Sequence, residues 1–464
     1  MVLTPLSLAN HEGGSALLAS PEPSMSQAEN VSGWLASAGG ASYERVSAMV
    51  PLPNGSMLVG GLFEQNVEFH GDVIGFSSDD SSFGVDFFLG WLDENGTWTG
   101  TVAGTSSGLD GIEAMDRTSD GTVIIAGTFC DMTKGDACNM TLGELPPVNK
   151  SADEHENGVF VAGMTPAGEW MWATRLSNPY QLSVIDMMVG PNDEVHLAVL
   201  HRDSLTSGDE LAPGSVSEDS IAVLVLDSTG NHLHMHTVFS SQNLENIGSL
   251  CSDYSGQTYL ATSFLELVSF GDHELTSSGG THVAVAQYNS GGWLWAKSAG
   301  GTSDASATDC DGRHDGGVAV VGDFLQNMTF GDLEIGPSVW VDFYEAHISD
   351  QGEWLHATGF GGGAADHAAA IHITEQGDSL ILGKTTGTLV LGEYTLTDID
   401  GMNDGNHHDL FLGRRQANST WDWAIAAGGG GDDLPDSLSM SATGSPVISF
   451  ISNSDGTYGA HAFT

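Results

Sequence analysis

One pattern returns along most of this chain, and few folds can use it. From Gly291 to Asp332 the sequence runs GGWLWAKSAGGTSDASATDCDGRHDGGVAVVGDFLQNMTFGD. It holds a Trp-x-Trp strand, a Gly-Gly loop ending in Asp, a Gly turn, an apolar strand ending in Phe, and then Phe-Gly. The position of Trp295 is matched by Trp34, Trp172, His234, His356 and Trp423. From Trp172 onward the matches recur roughly every 60 to 70 residues, a spacing that suits propeller blades and exceeds leucine-rich or ankyrin repeats.

Each unit reads as four short strands. The first follows the Gly-Gly loop, as in ASATDC or AAAIHI. The second is the most apolar, as in TVIIAGTF at Thr122 or GVAVVGDF at Gly317. The third reads DFFLGWL at Asp86, DFYEAHI at Asp342 and DLFLGRR at Asp409, and the fourth carries the Trp residues. Alternating apolar residues bounded by Gly, Asn and Asp are antiparallel meander text. No convincing amphipathic helix interrupts them.

Seven second strands can be counted, centred near residues 60, 125, 197, 261, 321, 382 and 449. The last unit stops after its third strand. Residues 31–38, VSGWLASA, read as a fourth strand with no unit before them. Pairing the surplus strand with the short unit would remove two sheet edges. The expectation is an all-β, seven-bladed propeller of four-stranded antiparallel blades over residues 29–464, its ring closed by an N-terminal strand pairing with the last blade. Residues 1–28, polar and rich in Ser and Pro, read as a flexible tail or linker.

The stretch from Phe270 to Gly301, FGDHELTSSGGTHVAVAQYNSGGWLWAKSAGG, resembles the SBBP-type β-propeller repeat of secreted and surface proteins. The shared features are Phe-Gly, Ser-x-Gly, an acidic residue before an apolar strand, Trp-Ala and Gly-Gly. They are clearest over roughly residues 244–430, although His282 stands where the acidic residue is expected. The resemblance implies an extracellular propeller without an established catalytic role, and it carries no catalytic motif to transfer.

Charge narrows the partners. The chain has 61 acidic and 11 basic residues, a formal net charge of −50. Such a surface repels nucleic acid and anionic membranes, and it suits a salty medium. No apolar run is long enough for a membrane-spanning helix. Seven Asn-x-Ser/Thr sequons, at Asn30, Asn54, Asn95, Asn139, Asn149, Asn327 and Asn418, fall mostly in predicted turns. With the charge they favour an exported or cell-surface protein, although the first residues lack the basic start of a signal peptide. Cys130 and Cys138 share one insertion and suit a local disulfide. Cys251 and Cys310 lie on equivalent strands one position out of register, and are expected as buried free thiols, with an inter-repeat bond as the alternative.

Candidate sites follow from repetition and its exceptions. Asp110, Asp304, Asp366 and Asp432 close the Gly-Gly loops and should form a partial ring at one mouth of the channel. Hard cations want several oxygens, so Ca²⁺ is the candidate ion, a polyol the other ligand. Repetition itself favours a humbler role, each Asp capping its own loop. His232, His234 and His236 alternate on one strand, so period two puts three imidazoles on one face, a candidate Zn²⁺ or Cu²⁺ site. Two of them occupy Trp positions, and packing is the simpler role. The Asp-rich loops from Asp309 and Asp398 miss calcium-loop spacing at Arg313 and Met402. No Gly-x-Ser-x-Gly motif occurs, and the Gly-rich runs lack the Lys of a phosphate loop.

The expected function is a non-enzymatic, monomeric secreted or cell-surface module that binds a protein or glycan and requires no cofactor. Two alternatives stay open: a quinoprotein-like oxidoreductase and a secreted glycan-active enzyme. For the former, Arg414 and Arg415 are the only adjacent cations, expected at a strand end rather than in a quinone clamp.

Overall fold

The computed structural model describes residues 14–19, 34–39, 43–69, 72–75, 85–104, 106, 108–131, 138–150, 158–176, 182–207, 209–214, 218–242, 244, 248–397, 399, 407–452, 456–458 and 461–463. They form an all-β propeller of four-stranded antiparallel blades. Six blades, not seven, are each built from one continuous run of chain: 44–104, 109–176, 182–240, 249–301, 309–362 and 366–429, numbered here blades 1 to 6. Blade 4 shows the plan. Its strands Ser249–Ser252, Thr258–Phe264, His282–Asn289 and Gly292–Gly301 pair in that order, each with the next.

The Phe-Gly motif belongs to a hairpin between the second and third strands. In blade 4 this hairpin is Leu267–Phe270 with His273–Thr276, and Phe270 pairs with Val238 on the fourth strand of blade 3. Blades 5 and 6 repeat the arrangement, pairing Met328 and Thr329 with Gly301 and Gly300, and Leu389 and Val390 with Gly362 and Gly361. Each hairpin thus covers part of its neighbour's edge strand. The hairpin turn places Gly271 at φ 57°, Gly331 at 59° and Gly392 at 61°, a region an L side chain avoids.

The two glycines of the Gly-Gly motif answer to different neighbours. A Cβ on Gly301 or Gly362 would lie 2.1 or 1.7 Å from a hairpin carbonyl. A Cβ on Gly300, Gly361 or Gly428 would strike the side chain of His282, Asp342 or Asp409 at 2.4, 2.1 or 1.9 Å. The motif therefore marks where one strand admits both a neighbouring hairpin and a polar side chain.

The Trp residues join blades. Trp293 packs edge-on against Phe270 and Tyr288, with centroids 5.0 and 5.3 Å apart, and its Nε1 donates to Thr237 O of blade 3 at 3.1 Å. Trp295 points to the other neighbour, donating to Asp350 O of blade 5 at 3.0 Å. A register shift falls between the two Trp residues, so Leu294 stands exposed, as do Met171, Leu233 and Leu355 at the same place in other blades. Apolar clusters fill the seams, for example Cys251, Val285, Val320 and Tyr344 between blades 4 and 5.

The remaining four-stranded sheet corrects the expected closure. Its order is Trp34–Ala38, Gly14–Ala19, Pro446–Ser452, Asp433–Met440. The N-terminal region supplies two strands rather than one. Trp34–Ala38, expected to pair directly with the last unit, pairs with Gly14–Ala19, and that strand pairs with Pro446–Ser452. Gly14–Ala19 lies inside the stretch read as a tail. The C-terminal residues read as a third strand form instead the hairpin Gly456–Tyr458 with His461–Phe463, which pairs with Gly428 and Gly429 of blade 6. The hairpin rule of the other blades explains this: an edge strand offers unpaired backbone groups that the next segment takes up.

Candidate functional site

Connections between second and third strands, and between one blade's fourth strand and the next blade's first, lie at one end of the molecule. The four expected carboxylates sit there, but in two different positions. Asp366 N donates to Val341 O, Asp433 N to His408 O, and Ala305 N to Thr281 O. By that register Asp433, not Asp432, is the counterpart of Asp366, while Asp304 and Asp432 stand one residue earlier. Asp304 accepts Thr281 N–H at 2.9 Å, and Asp432 accepts His408 N–H at 3.1 Å and its ring Nδ1 at 2.9 Å. These two therefore cap the connection to the third strand. Burial works against the charge of Asp432, but the His408 bonds outweigh it and hold its pKa below the usual value.

Asp110 and Asp366 are buried, at 1% and 0% exposure. Each faces a second carboxylate that the sequence reading passed over, at the head of the third strand: Asp86 for Asp110 and Asp342 for Asp366. Asp409 and Asp433 repeat the pairing, with oxygens 1.9 and 2.9 Å from one point beside Gly428. The recurring DFF, DFY and DLF was the available signal. Burial pushes Asp86, Asp110 and Asp366 up to about 7 and raises Asp342. Cys130 N–H and Ser106 temper the rise in Asp110, and Thr385 that in Asp366.

A second set of acids lines the first strands, among them Asp309, read in the sequence as the start of a loop and found on the strand Asp309–Gly312. Asp116 accepts Val189 N–H at 2.7 Å, Asp186 accepts Leu250 N–H at 2.8 Å, and Asp309 accepts Ile371 N–H at 2.8 Å. Each donor belongs to another blade, so the carboxylates stitch inner strands together. Burial pushes Asp309 up to about 7 and Asp116 to about 6. Arg45 Nε meets Asp436 at 3.0 Å, joining blade 1 to the composite sheet.

The three expected histidine ligands do not act as a set. His234 and His236 are neighbours, with ring centroids 5.1 Å apart, but His232 Nδ1 bonds Ser207 at 2.9 Å. The register shift between Val225 and Leu226 separates His232 from the other two. His196, missed in the sequence, completes the polar seam through Tyr288 OH at 3.0 Å. Burial lowers His196 and His236 to about 4, so both are neutral at pH 7. Among the described residues no group of three or more His, Cys, Asp or Glu is arranged to hold a metal ion.

Arg415 departs from its expected place at a strand end. It is 4% exposed and reaches from blade 6 into blade 5, where Nη1 meets Glu345 Oε2 at 2.7 Å and Nη2 meets His356 Nε2 at 3.0 Å. Ser379 donates to the same carboxylate, and His347 Nε2 lies 2.8 Å from it. Burial opposes the charge of Glu345, but the His347 bond and the Arg415 charge prevail and hold it at about 2. Arg414 is engaged with Asp378 at 2.8 Å.

Both cysteine pairs are disulfides. Cys130–Cys138 agrees with expectation, whereas Cys251–Cys310 replaces two expected free thiols. Inner strands of successive blades run side by side, so one residue of offset still leaves the Cα atoms 5.9 Å apart, within bonding range. Asn54, Asn95, Asn139, Asn149, Asn327 and Asn418 are exposed, and Asn139 opposes Asn149 across one hairpin. Asn30 and the Asp398 turn lie outside the described residues.

No known family model matches the chain, and no curated protein matches it. The resemblance to propeller repeats therefore holds at the level of the fold.

Proposed function

We propose that the chain is an exported, seven-bladed propeller of the SBBP type that serves as a non-enzymatic interaction module for a protein or glycan. The composite sheet would be its seventh blade, with the chain break in the connection after the second strand. Support comes from the way this sheet meets its neighbours. Trp98 Nε1 of blade 1 donates to Ser37 O at 2.9 Å, as Trp293 does to blade 3. The hairpin of blade 1 meets its outer strand through Gly39 and Glu68. Its first strand also lies against those of blades 1 and 6. The two disulfides fit an oxidising compartment.

The observation that carries the binding role is the pair Val339 and Trp340, which are 84% and 58% exposed on the loop end. Their loop is fixed from both sides. Ser338 N donates to Gln326 O at 3.0 Å, Ser338 Oγ to Trp340 O, and Asp366 N to Val341 O at 2.8 Å. An exposed Trp on an ordered loop is the chemistry of an interface anchor, with large apolar area at low entropic cost. The quinoprotein reading draws no support from Arg414 and Arg415, since both already hold carboxylates.

Binding of the wild type and of Trp340→Ala to a glycan microarray and a panel of extracellular proteins tests the proposal. Retained melting temperature with at least about tenfold weaker binding is expected. Unchanged binding would remove Trp340 from the site. Turnover in a polysaccharide-digestion or dye-coupled oxidation screen would replace the module with an enzyme.

A further inference from the structure

The three carboxylate pairs at the loop end look alike in sequence but are not equally compensated. Asp433 Oδ2 accepts Gly429 N–H at 2.9 Å, and Asp409 Oδ2 accepts Ile399 N–H at 2.7 Å. Asp110 Oδ1 accepts Cys130 N–H at 2.9 Å and the Ser106 hydroxyl at 2.7 Å. Asp366 differs. It is fully buried, and no hydrogen bond of good geometry reaches either of its oxygens; Asp342 Oδ1 beside it is likewise buried without one. A buried carboxylate left in this state costs far more than a neutral group unless a positive partner discharges it.

The seam between blades 4 and 5 has no such acid pair. There His282 takes the place of Asp342, and Ala305 the place of Asp366. His282 Nε2 lies 3.0 Å from Gly301 O, a nitrogen facing the carbonyl at the end of the fourth strand. At the next seam the histidine and its N–H are gone and two acids remain. Around them stand the Ser338 hydroxyl beside Asp342 and, beside Asp366, the Thr385 hydroxyl and the Gly362 N–H, with His367 next in the chain. Gly361 has no side chain to fill the space at Asp342 Oδ1, where a Cβ would come within 2.1 Å.

We propose that Asp342 and Asp366 bind one hard divalent cation of the calcium type, with neighbouring hydroxyl or backbone oxygens and water completing its shell. All-oxygen donors, two of them anionic, suit Ca²⁺ and disfavour softer metals. The site sits where blades 5 and 6 meet, and Val341, next to Trp340, accepts the backbone N–H of Asp366. It differs from the expected four-residue ring: of Asp110, Asp304, Asp366 and Asp432 it uses only Asp366. The proposal does not depend on what Trp340 contacts.

A chain this acidic gains from any cation, so the test must separate a site from screening. Metal-stripped protein at pH 8 and fixed ionic strength is melted with and without about 1 mM Ca²⁺, a working level for extracellular calcium modules. Ca²⁺ bound is counted by equilibrium dialysis. The wild type should gain about 1 °C or more. Asp342→Asn/Asp366→Asn should lose that gain and one bound ion, and should melt no lower than the wild type without metal. Asp366→Asn alone serves if the double variant fails to fold. Asp272→Asn/Glu274→Gln, which removes two exposed charges, should keep both gain and ion. Equal gains and equal ion counts in all variants would reduce the effect to screening and overturn the site. So would a wild type that ignores Ca²⁺ and is stabilised only by acid, which would mean a shared proton. His367, itself bonded to Asp323 at 2.7 Å, is the other titrating group facing Asp366.

Discussion

Two adjacent seams, built on the same repeat positions, are held by opposite chemistry. Between blades 4 and 5 the contact is apolar and covalent: Trp295 packs over Gly352, Cys251 bonds Cys310, and His282 with Ala305 ends the seam at the loop face. Between blades 5 and 6 the Trp position is His356, the seam core holds Glu345 and Arg415, and the loop face holds Asp342 and Asp366. Register makes the exchange explicit. Glu345 stands where blade 4 has Val285, and Arg415 where blade 5 has Ile348. The backbone repeat tolerates either solution because each position is paired across the seam: at the seam core Glu345 of blade 5 meets Arg415 of blade 6.

The largest effect should come from breaking that pairing. Arg415→Ala leaves Glu345 buried and uncompensated, and should lose about 3–5 kcal/mol in denaturant unfolding. Glu345→Val/Arg415→Ile gives the seam an apolar core like its neighbour's, and should fall within about 1 kcal/mol of the wild type or exceed it. A small loss in the single variant would show that water already reaches Glu345 and that the two seams differ less than they look.

The neighbouring seam should respond to its covalent link. Removing Cys251–Cys310, which spans 59 residues, should cost about 4 kcal/mol by loop-closure entropy, against about 2.5 kcal/mol for Cys130–Cys138, which spans 8. Melting of the two double-Ala variants measures the difference, and equal losses would mean that Cys251–Cys310 adds nothing across the seam. Within the same comparison Trp295→Ala should cost about 3 kcal/mol and His356→Ala about 1 kcal/mol, since the first leaves a cavity and the second loses a hydrogen bond.

What the sequence disclosed was whatever serves the repeat. Trp-x-Trp, Phe-Gly and Gly-Gly each answer to a neighbour at fixed chain distance, so the blades could be read off. Contacts that cross the repeat could not. Glu345 and Arg415 are 70 positions apart, and nothing local to either announces the other. Asp432 and Asp433 are adjacent acids, and only the strand register decides which one turns inward. Gly14–Ala19 was hidden by the polar text around it, because six small and apolar residues between Ser- and Pro-rich stretches resemble a linker until a partner strand is known. Cys251 and Cys310 failed for a related reason: sequence alignment measures register within a repeat, whereas bonding depends on the sideways distance between blades.

The smallest effect is the most diagnostic of the acid seam, and its sign is fixed by the direction of the shifts. Asp86, Asp110, Asp309 and Asp366 are raised to about 7, above an unfolded value of about 3.9. Their stabilising protonation is complete below the unfolded value and is lost as pH rises through about 7. His196 and His236 act the other way. Lowered to about 4, they contribute stability that is present above about 6.5 and fades as pH falls toward 4. Between pH 8 and 6.5 the carboxylates therefore act almost alone, and metal-free protein should melt about 2–4 °C higher at pH 6.5 than at pH 8. Asp366→Asn should flatten that slope, because the amide carries no charge to relieve, while Ala305→Asp beside His282 should leave it nearly unchanged, since the His282 ring can hydrogen-bond the new carboxylate. If Ala305→Asp steepened the slope as much as Asp366→Asn flattened it, the histidine would not be the compensating group, and the contrast between the two seams would reduce to the number of acids in each.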